Sequence, residues 1–354
     1  MSMVPLWNGC VRNYGDEVDT FIADAFSDPA RHLLLVGGAG FDPRATCIPA
    51  KVAAAAAGRV KGVFFRERRG TASSDLRRAA DANAARLATV VPGATLQEIR
   101  IFDTDGAVVG GRQIVEAMTK EFPASYSDVI VDVSALSMGI FFPLVRFLLD
   151  MARRAKFNLH VMIASDPALD AVLSREYSDR VAYPHSFQGA LNVEALKERA
   201  RLWLPQLAPS AGPALEMIFK AVQPHETCPI VPFPASGPRN ADQMMGLFAE
   251  ELEFVWHVDA RDLVYASDRD PHDLYRTLCR VHEAREAVFK DTIGSTLVLS
   301  PVGSKALAIG ALMAAIEHDM GVAYVEAVNF HCDALPARSD HYELAHLWLH
   351  PLPP

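Results

Sequence analysis

Residues 33–44 read LLLVGGAGFDPR, and this stretch limits the possible folds more than any other. A short apolar run that breaks into glycines is the pattern of a strand buried on both faces and ending in a tight turn. Such strands belong to parallel sheets, which need helical crossovers between neighbours. Gly37, Gly38 and Gly40 let the backbone approach a ligand closely. A helix starting just after them would aim N–H groups at a phosphate, ribose or adenine-bearing guest. The stretch is not a Walker A loop, because no Lys-Ser or Lys-Thr follows, and Asp42 and Pro43 stand where the dinucleotide fingerprint wants a third small residue.

The same unit of strand, small or polar loop and helix recurs along the chain. Strands are expected at 33–36, 60–65, 96–102, 128–133 and 157–163, then in a second series at 229–233, 262–266, 296–300 and 322–328. Helices are expected between them, including 45–57, 71–87, 138–155, 272–289 and 306–318. Residues 170–213 show weak periodicity and several prolines, and residues after 329 are expected to be irregular. The pattern predicts an α/β fold of mostly parallel sheets, Rossmann-like, in two strand–helix series.

At 354 residues the chain exceeds the size at which one core stops growing, so two domains are expected. The boundary is placed at residue 205, with a Rossmann-like domain carrying the glycine turn over 1–205 and a second Rossmann-like α/β domain over 206–354. Loops pairing a proline with an arginine, at 40–44 and 236–239, are compatible with an internal duplication; one large doubly wound sheet is the alternative.

The chain is 50% apolar and 22% charged, an ordinary globular composition. Its net charge of -9 argues against a general polyanion binder. The five cysteines are scattered, with no CxxC and no HExxH, so reduced thiols, no metal site and no zinc are expected, in a cytoplasmic setting. No signal-peptide pattern opens the chain, and the apolar run 136–149 is too short to span a bilayer.

Ligands of open parallel sheets collect beyond the carboxyl ends of the strands. Polar stretches at 37–44, 66–69, 132–137, 165–167, 236–240, 267–270 and 301–305 fall at expected strand ends and are predicted to meet in a crevice between the two halves. Asp42 is placed to cap the next helix. Arg44, at a helix start, opposes the dipole unless an anion compensates it, so it either binds a phosphate or pairs with Asp42. Glu67 stands where dinucleotide and adenosyl-methionine folds put an acid on ribose hydroxyls, although its arginine neighbours equally suit a salt-bridge cluster. Asp132 ends an apolar strand, where a carboxylate is costly unless bonded. It either holds a ligand hydroxyl or a cation, or caps the next helix, with Ser134 beside it; no nucleophile elbow surrounds that serine. Asp268, Asp270 and His272 suit a cation, acid–base chemistry or a plain turn, while His282 and Glu283 are expected to face solvent. Glu326, in the last expected strand of the second series, is expected to reach the same crevice.

Gly303, Ser304 and Lys305 form a second anion-site candidate at a helix start. Residues 300–305, SPVGSK, resemble the small-Gly-Thr/Ser-Lys turn of Rossmann-like nucleotide-sensing domains, including those of the CRISPR-associated class that bind cyclic oligoadenylates. The resemblance implies that these three residues touch the ligand. No nuclease signature accompanies them.

The preferred reading is binding of a nucleotide or other phosphorylated small molecule through a phosphate-binding loop. Catalysis is left open, because no general acid, base or nucleophile stands out. An adenosyl-methionine-dependent methyltransferase and a non-catalytic nucleotide-sensing or protein-interaction module are the alternatives. No cofactor is selected, no membrane partner is expected, and a homo-oligomer is compatible with the reading.

Overall fold

The computed structural model describes residues 6–70, 73–121, 125–188, 199–235, 237, 239–289, 291–332, 335–336, 339 and 342–352. The expected helix start at 71, and Ser236 and Pro238 of the 236–240 loop, lie outside the described residues. The chain forms two compact units, residues 1–173 with 329–354, and residues 174–328. The chain passes between these units at 173 and at 328, and its C-terminal segment belongs with the first.

The first unit runs β1 (Val11–Tyr14), α1 (Asp16–Phe26), β2 (Leu33–Gly38), α2 (Cys47–Ala56), β3 (Val60–Arg68), α3 (Ser74–Val90), β4 (Thr95–Arg100), α4 (Gly110–Glu121), β5 (Asp128–Asp132), α5 (Met138–Ala155), β6 (Asn158–Ser165) and α6 (Pro167–Val172). The second contains β7 (Ser174–Ala182), β8 (Ala200–Pro205), α7 (Gly212–Val222), β9 (Glu226–Thr227), β10 (Ile230–Pro232), α8 (Asn240–Leu247), β11 (Val264–Ala266), α9 (Pro271–Phe289), β12 (Ser295–Ser300), α10 (Lys305–His318) and β13 (Gly321–Val322). From it β14 (Tyr324–His331) leads back, and β15 (Glu343–His350) ends the fold.

In the first unit a seven-stranded sheet has the order β1-β15-β6-β5-β2-β3-β4. Strands β2 to β6 are mutually parallel, while β15 lies antiparallel to both β6 and β1. This is a Rossmann-like α/β arrangement, with the strand order turning about β2. Every residue of β2 and of β5 is buried, as the Val/Ile/Leu runs require of central strands covered on both faces. Leu33 and Leu35 pack with Val18 and Ile22 of α1, Ile48 and Val52 of α2, and Leu87 of α3. Side chains alternate along a strand, so Leu34 and Val36 serve the opposite face. Helix α5 buries Phe141, Leu144, Val145, Leu148, Leu149 and Ala152, recurring at helical spacing.

The N-terminal ends of these strands hold a buried polar relay. Asn13 Nδ2 lies 2.8 Å from His346 Nδ1, His346 Nε2 lies 3.0 Å from His160 Nδ1, and His160 Nε2 lies 3.0 Å from Asp128 Oδ1. Arg31 reaches the same Asp128 oxygen at 2.7 Å. An amide nitrogen only donates, so the directions close one way: Asn13 to His346, His346 to His160, His160 to Asp128, with both imidazoles neutral. Burial, with His160 beside it, lowers the His346 pKa well below the ordinary 6.5. Burial also lowers that of His160, against the pull of Asp128. Above pH 6.5 both rings are neutral folded or unfolded. Below it the unfolded chain takes protons that the folded chain refuses, so stability falls as pH falls, at a limiting slope of about 1.4 kcal/mol per pH unit for each proton refused. Asp128, whose pKa is itself lowered, adds its loss only below the ordinary carboxylate range. Thermal melts from pH 8 to 5 are expected to show this decline, and His346→Gln to flatten it.

In the second unit a four-stranded parallel sheet has the order β13-β12-β8-β9. Strands β10 and β11 form a separate parallel pair, and β14 pairs with β7. Trp203 of β8 anchors the core, 5.2 Å edge-on to Trp256, with its indole N–H donating to Ser300 Oγ at 2.9 Å. Helix α10 is apolar on all sides from Ala306 to Ala315 and is buried along that length accordingly. The strands of the two series do not join one large sheet. Strands arise where none was expected, among them β7 and β8 in the proline-bearing stretch and β15 in the C-terminal tail. Among the described residues, no helix is long and apolar enough to cross a membrane.

Candidate functional site

Strand register in the first unit builds the site. Gly37 of β2 stands opposite Asp132 of β5 on one side and Phe64 of β3 on the other. The ends of β2, β3, β5 and β6 thus bring together the glycine turn, Glu67, the Asp132–Ser137 loop and Asp166. The connections leave β2 toward β3 on one side and return to β5 on the other, which makes this end a switch point of the kind where open sheets collect ligands.

The three glycines have different reasons to be glycine. A Cβ on Gly38 would stand 2.5 Å from the carbonyl oxygen of Ala135 and 2.8 Å from its carbon. Backbone packing against the β5–α5 loop therefore forbids a side chain there. A Cβ on Gly37 would make ordinary contact with Asp132 at 3.4 Å, and one on Gly40 would meet nothing within 4 Å. Open space adjoins Gly40, and Asn83 of α3 pins the turn by donating to Gly40 O and Asp42 O, each at 2.8 Å. Sequence reasoning missed Asn83, whose one signal is a buried amide on an otherwise apolar helix face.

Asp42 caps the short 3-10 turn Pro43–Thr46, accepting from the Arg44 N–H at 2.9 Å. Of the two roles open to Arg44, the structure displays the pairing. Its guanidinium bonds Asp42 at 2.8 Å and Asp170 at 2.9 Å, with the side chain only 4% exposed. Burial alone would lower the Arg44 pKa, but the two carboxylates outweigh it and raise the value. Glu67 likewise finds partners within the chain, accepting from Ser137 N–H at 2.7 Å at the start of α5 and from Arg69 at 2.6 Å. Asp166 accepts from the Ala168 and Leu169 N–H groups at the start of α6. At all three helical starts a carboxylate of the chain itself occupies the place an anion would take.

Asp132 is buried and accepts from both the N–H (3.0 Å) and the hydroxyl of Ser134, whose Oγ accepts from Ala164 N–H at 2.8 Å. Burial pushes the Asp132 carboxyl up to about 7, against these hydrogen bonds and Arg44, with Asp42 adding to the rise. The folded chain therefore holds a proton that the unfolded chain releases near 3.8. This contribution to stability is complete below that value and is lost as pH rises toward 7. Asp132→Asn keeps the acceptor for Ser134 and never ionises. Its melting temperature relative to the native chain is expected to climb between pH 5 and 8.

Two half-buried rings line the same end. Phe41 and Phe330 have centroids 5.3 Å apart, and the Arg69 guanidinium stands 5.2 Å over Phe330. Phe330 was not legible as part of the site, because it arrives from the C-terminal return.

In the second unit, the Gly303 N–H donates to the buried Gln206 Oε1 at 3.1 Å, and Gln206 Nε2 donates to Leu307 O at 3.0 Å. Ser304 caps α10 by accepting from Leu307 N–H at 3.3 Å, and Lys305 is its first residue. The Gly303 N–H and the Ser304 hydroxyl, both expected to hold an anion, thus serve the turn and the helix start, the first as a donor and the second as an acceptor.

The strand order and this site define a Rossmann-like α/β protein. No protein-family model and no curated protein matches the chain. Among solved structures it is similar to the E. coli tRNA N6-threonylcarbamoyladenosine dehydratase in complex with AMP, with 14% identity over 46% of this chain and a TM-score of 0.22. The chain spans 59% of the length of that dehydratase. It is also similar to the deacetylase of the A40926 pseudoaglycone, an antimicrobial reagent, with 13% identity over 76% of this chain and 95% of that one, and a TM-score of 0.25. The fold is defined by the strand order itself.

Proposed function

We propose that the carboxyl ends of β2, β3 and β5 bind a nucleoside-bearing small molecule, a nucleotide first among them. The observation that supports this is the register that sets Gly37 beside Asp132 at the switch point, with open space at Gly40. The half-buried Phe41 and Phe330 offer a surface on which a base stacks, and Glu67 and Asp132 offer acceptors for ribose hydroxyls. In this reading the glycine turn supplies close backbone approach, and Asp42 and Arg44 hold the turn in shape.

The second reading, an adenosyl-methionine-dependent methyltransferase, is favoured by one observation. Carboxylates already occupy three helical starts, which makes this end better suited to a ligand carrying positive charge than to one carrying several phosphates. A panel of ATP, GTP, NAD, adenosyl-methionine and cyclic or linear oligonucleotides, with and without magnesium, separates the two by thermal shift. Stabilisation by a nucleotide supports the first reading, stabilisation by adenosyl-methionine alone supports the second, and no stabilisation by any member contradicts both.

A further inference from the structure

Helices α9 and α10 of the second unit carry a group of side chains that the nucleotide reading does not use. Cys279 Sγ and His318 Nε2 lie 3.3 Å apart, on opposite helices. Together with a carboxylate oxygen of Glu317, these donor atoms all lie within 4.8 Å of one another, and all three residues are half-buried. Tyr275, one turn before Cys279 on α9, donates its hydroxyl to Glu317 Oε2 at 2.7 Å, which holds that carboxylate in place. His282, one turn after Cys279, is half-buried rather than turned to solvent, and its ring centroid is 4.3 Å from that of His318.

We propose that this group is a binding site for a divalent, thiophilic cation of the zinc class, held by Cys279, His318 and Glu317 between the two helices. The donor set of one sulfur, one imidazole nitrogen and one carboxylate oxygen is the mixed set that zinc accepts, and it leaves one tetrahedral position for water or His282. Zinc–sulfur and zinc–nitrogen bonds at the tetrahedral angle put the two donors about 3.5 Å apart, close to the observed separation. The Tyr275 hydroxyl plays the orienting part that an outer hydrogen bond plays for metal ligands. Binding displaces the thiol proton to solvent as the metal–sulfur bond forms, with no change of oxidation state. The site escaped sequence reading because its two strongest ligands stand 39 positions apart and share no motif. It runs against the expectation of no zinc.

The test uses the full chain, stripped with chelator, then dialysed against zinc, with bound metal measured by mass spectrometry. Cobalt loading supplies a second readout, the thiolate-to-metal charge-transfer absorption. A single equivalent of zinc and a thiolate band are expected in the native chain and in Cys228→Ser, and both are expected to be lost in Cys279→Ser and His318→Ala, with folding checked by circular dichroism. No stoichiometric zinc in the native chain, or retention of zinc and the band in Cys279→Ser, overturns the proposal. Should His318→Ala fail to fold, the native-chain and Cys279→Ser measurements still decide it.

Discussion

Replacing Arg44 with alanine is expected to cost the first unit about 3 kcal/mol, the loss typical of removing one partner from a buried ion pair. In a unit of this size that is a fall of roughly 6–12 °C in melting temperature. The cause is the carboxylates left behind. Asp42 is 14% exposed, and Asp132 is already held near neutrality by burial, with Asp42 raising its pKa and Arg44 lowering it. Asp170 is 44% exposed and regains water, so Asp42 and Asp132 carry most of the penalty. Neutralising the cluster together, with Arg44→Met, Asp42→Asn and Asp170→Asn, is expected to recover most of the loss, because the two carboxylates paired with Arg44 are then uncharged and Asp132 is left in its protonated form. Chemical denaturation of the three proteins checks this. An Arg44→Ala chain as stable as the native one would contradict the pairing.

The second large effect is expected at Gly38. An added methyl there would sit inside the contact distance of the Ala135 carbonyl, and a backbone carbonyl cannot swing away as a long side chain can. The 133–137 loop must move, at a cost of about 1–3 kcal/mol. The movement disturbs two things that loop provides, the Ser134 bonds to Asp132 and the Ser137 N–H bond to Glu67. Gly40→Ala, a few residues on, meets nothing and is expected to change stability by less than about 0.5 kcal/mol. Equal costs at the two positions would contradict the account of why Gly38 is glycine.

Much of the fold is legible in residue order. The runs LLLVGG and DVIVD announce central parallel strands, and both are buried throughout. Strand β15, ELAHLWLH, escaped because its histidine counts as polar in any periodicity, whereas the relay through His160 and Asn13 lets His346 sit in the core. Strand β7, SREYSDRVA, is largely exposed and polar, so no apolar alternation marks it. Strand β8 ends on Pro205, and the prolines around it suggest turns. At the site, one local part was readable, the Asp42 cap, which closes within two residues; Asp132 instead accepts from Ser134, and it is Glu67 that meets the start of α5. The partners that give them meaning were not. Asp170 reaches Arg44 across 126 positions and Glu67 reaches Ser137 across 70, and only the register of the sheet brings such residues together.

The central claim, that a nucleoside-bearing ligand sits at the switch point of the first unit, turns on the open space at Gly40. A leucine there would project into that space without touching the protein near its Cβ, so Gly40→Leu is expected to fold and melt as the native chain does. The decisive measurement is the binding isotherm of whichever panel member stabilises the native chain, repeated with Gly40→Leu and with Lys305→Ala of the second unit. The account predicts an affinity at least tenfold weaker in Gly40→Leu and unchanged in Lys305→Ala. Binding that survives in Gly40→Leu and is lost in Lys305→Ala would contradict it, and would move the ligand to the Gly303–Lys305 turn.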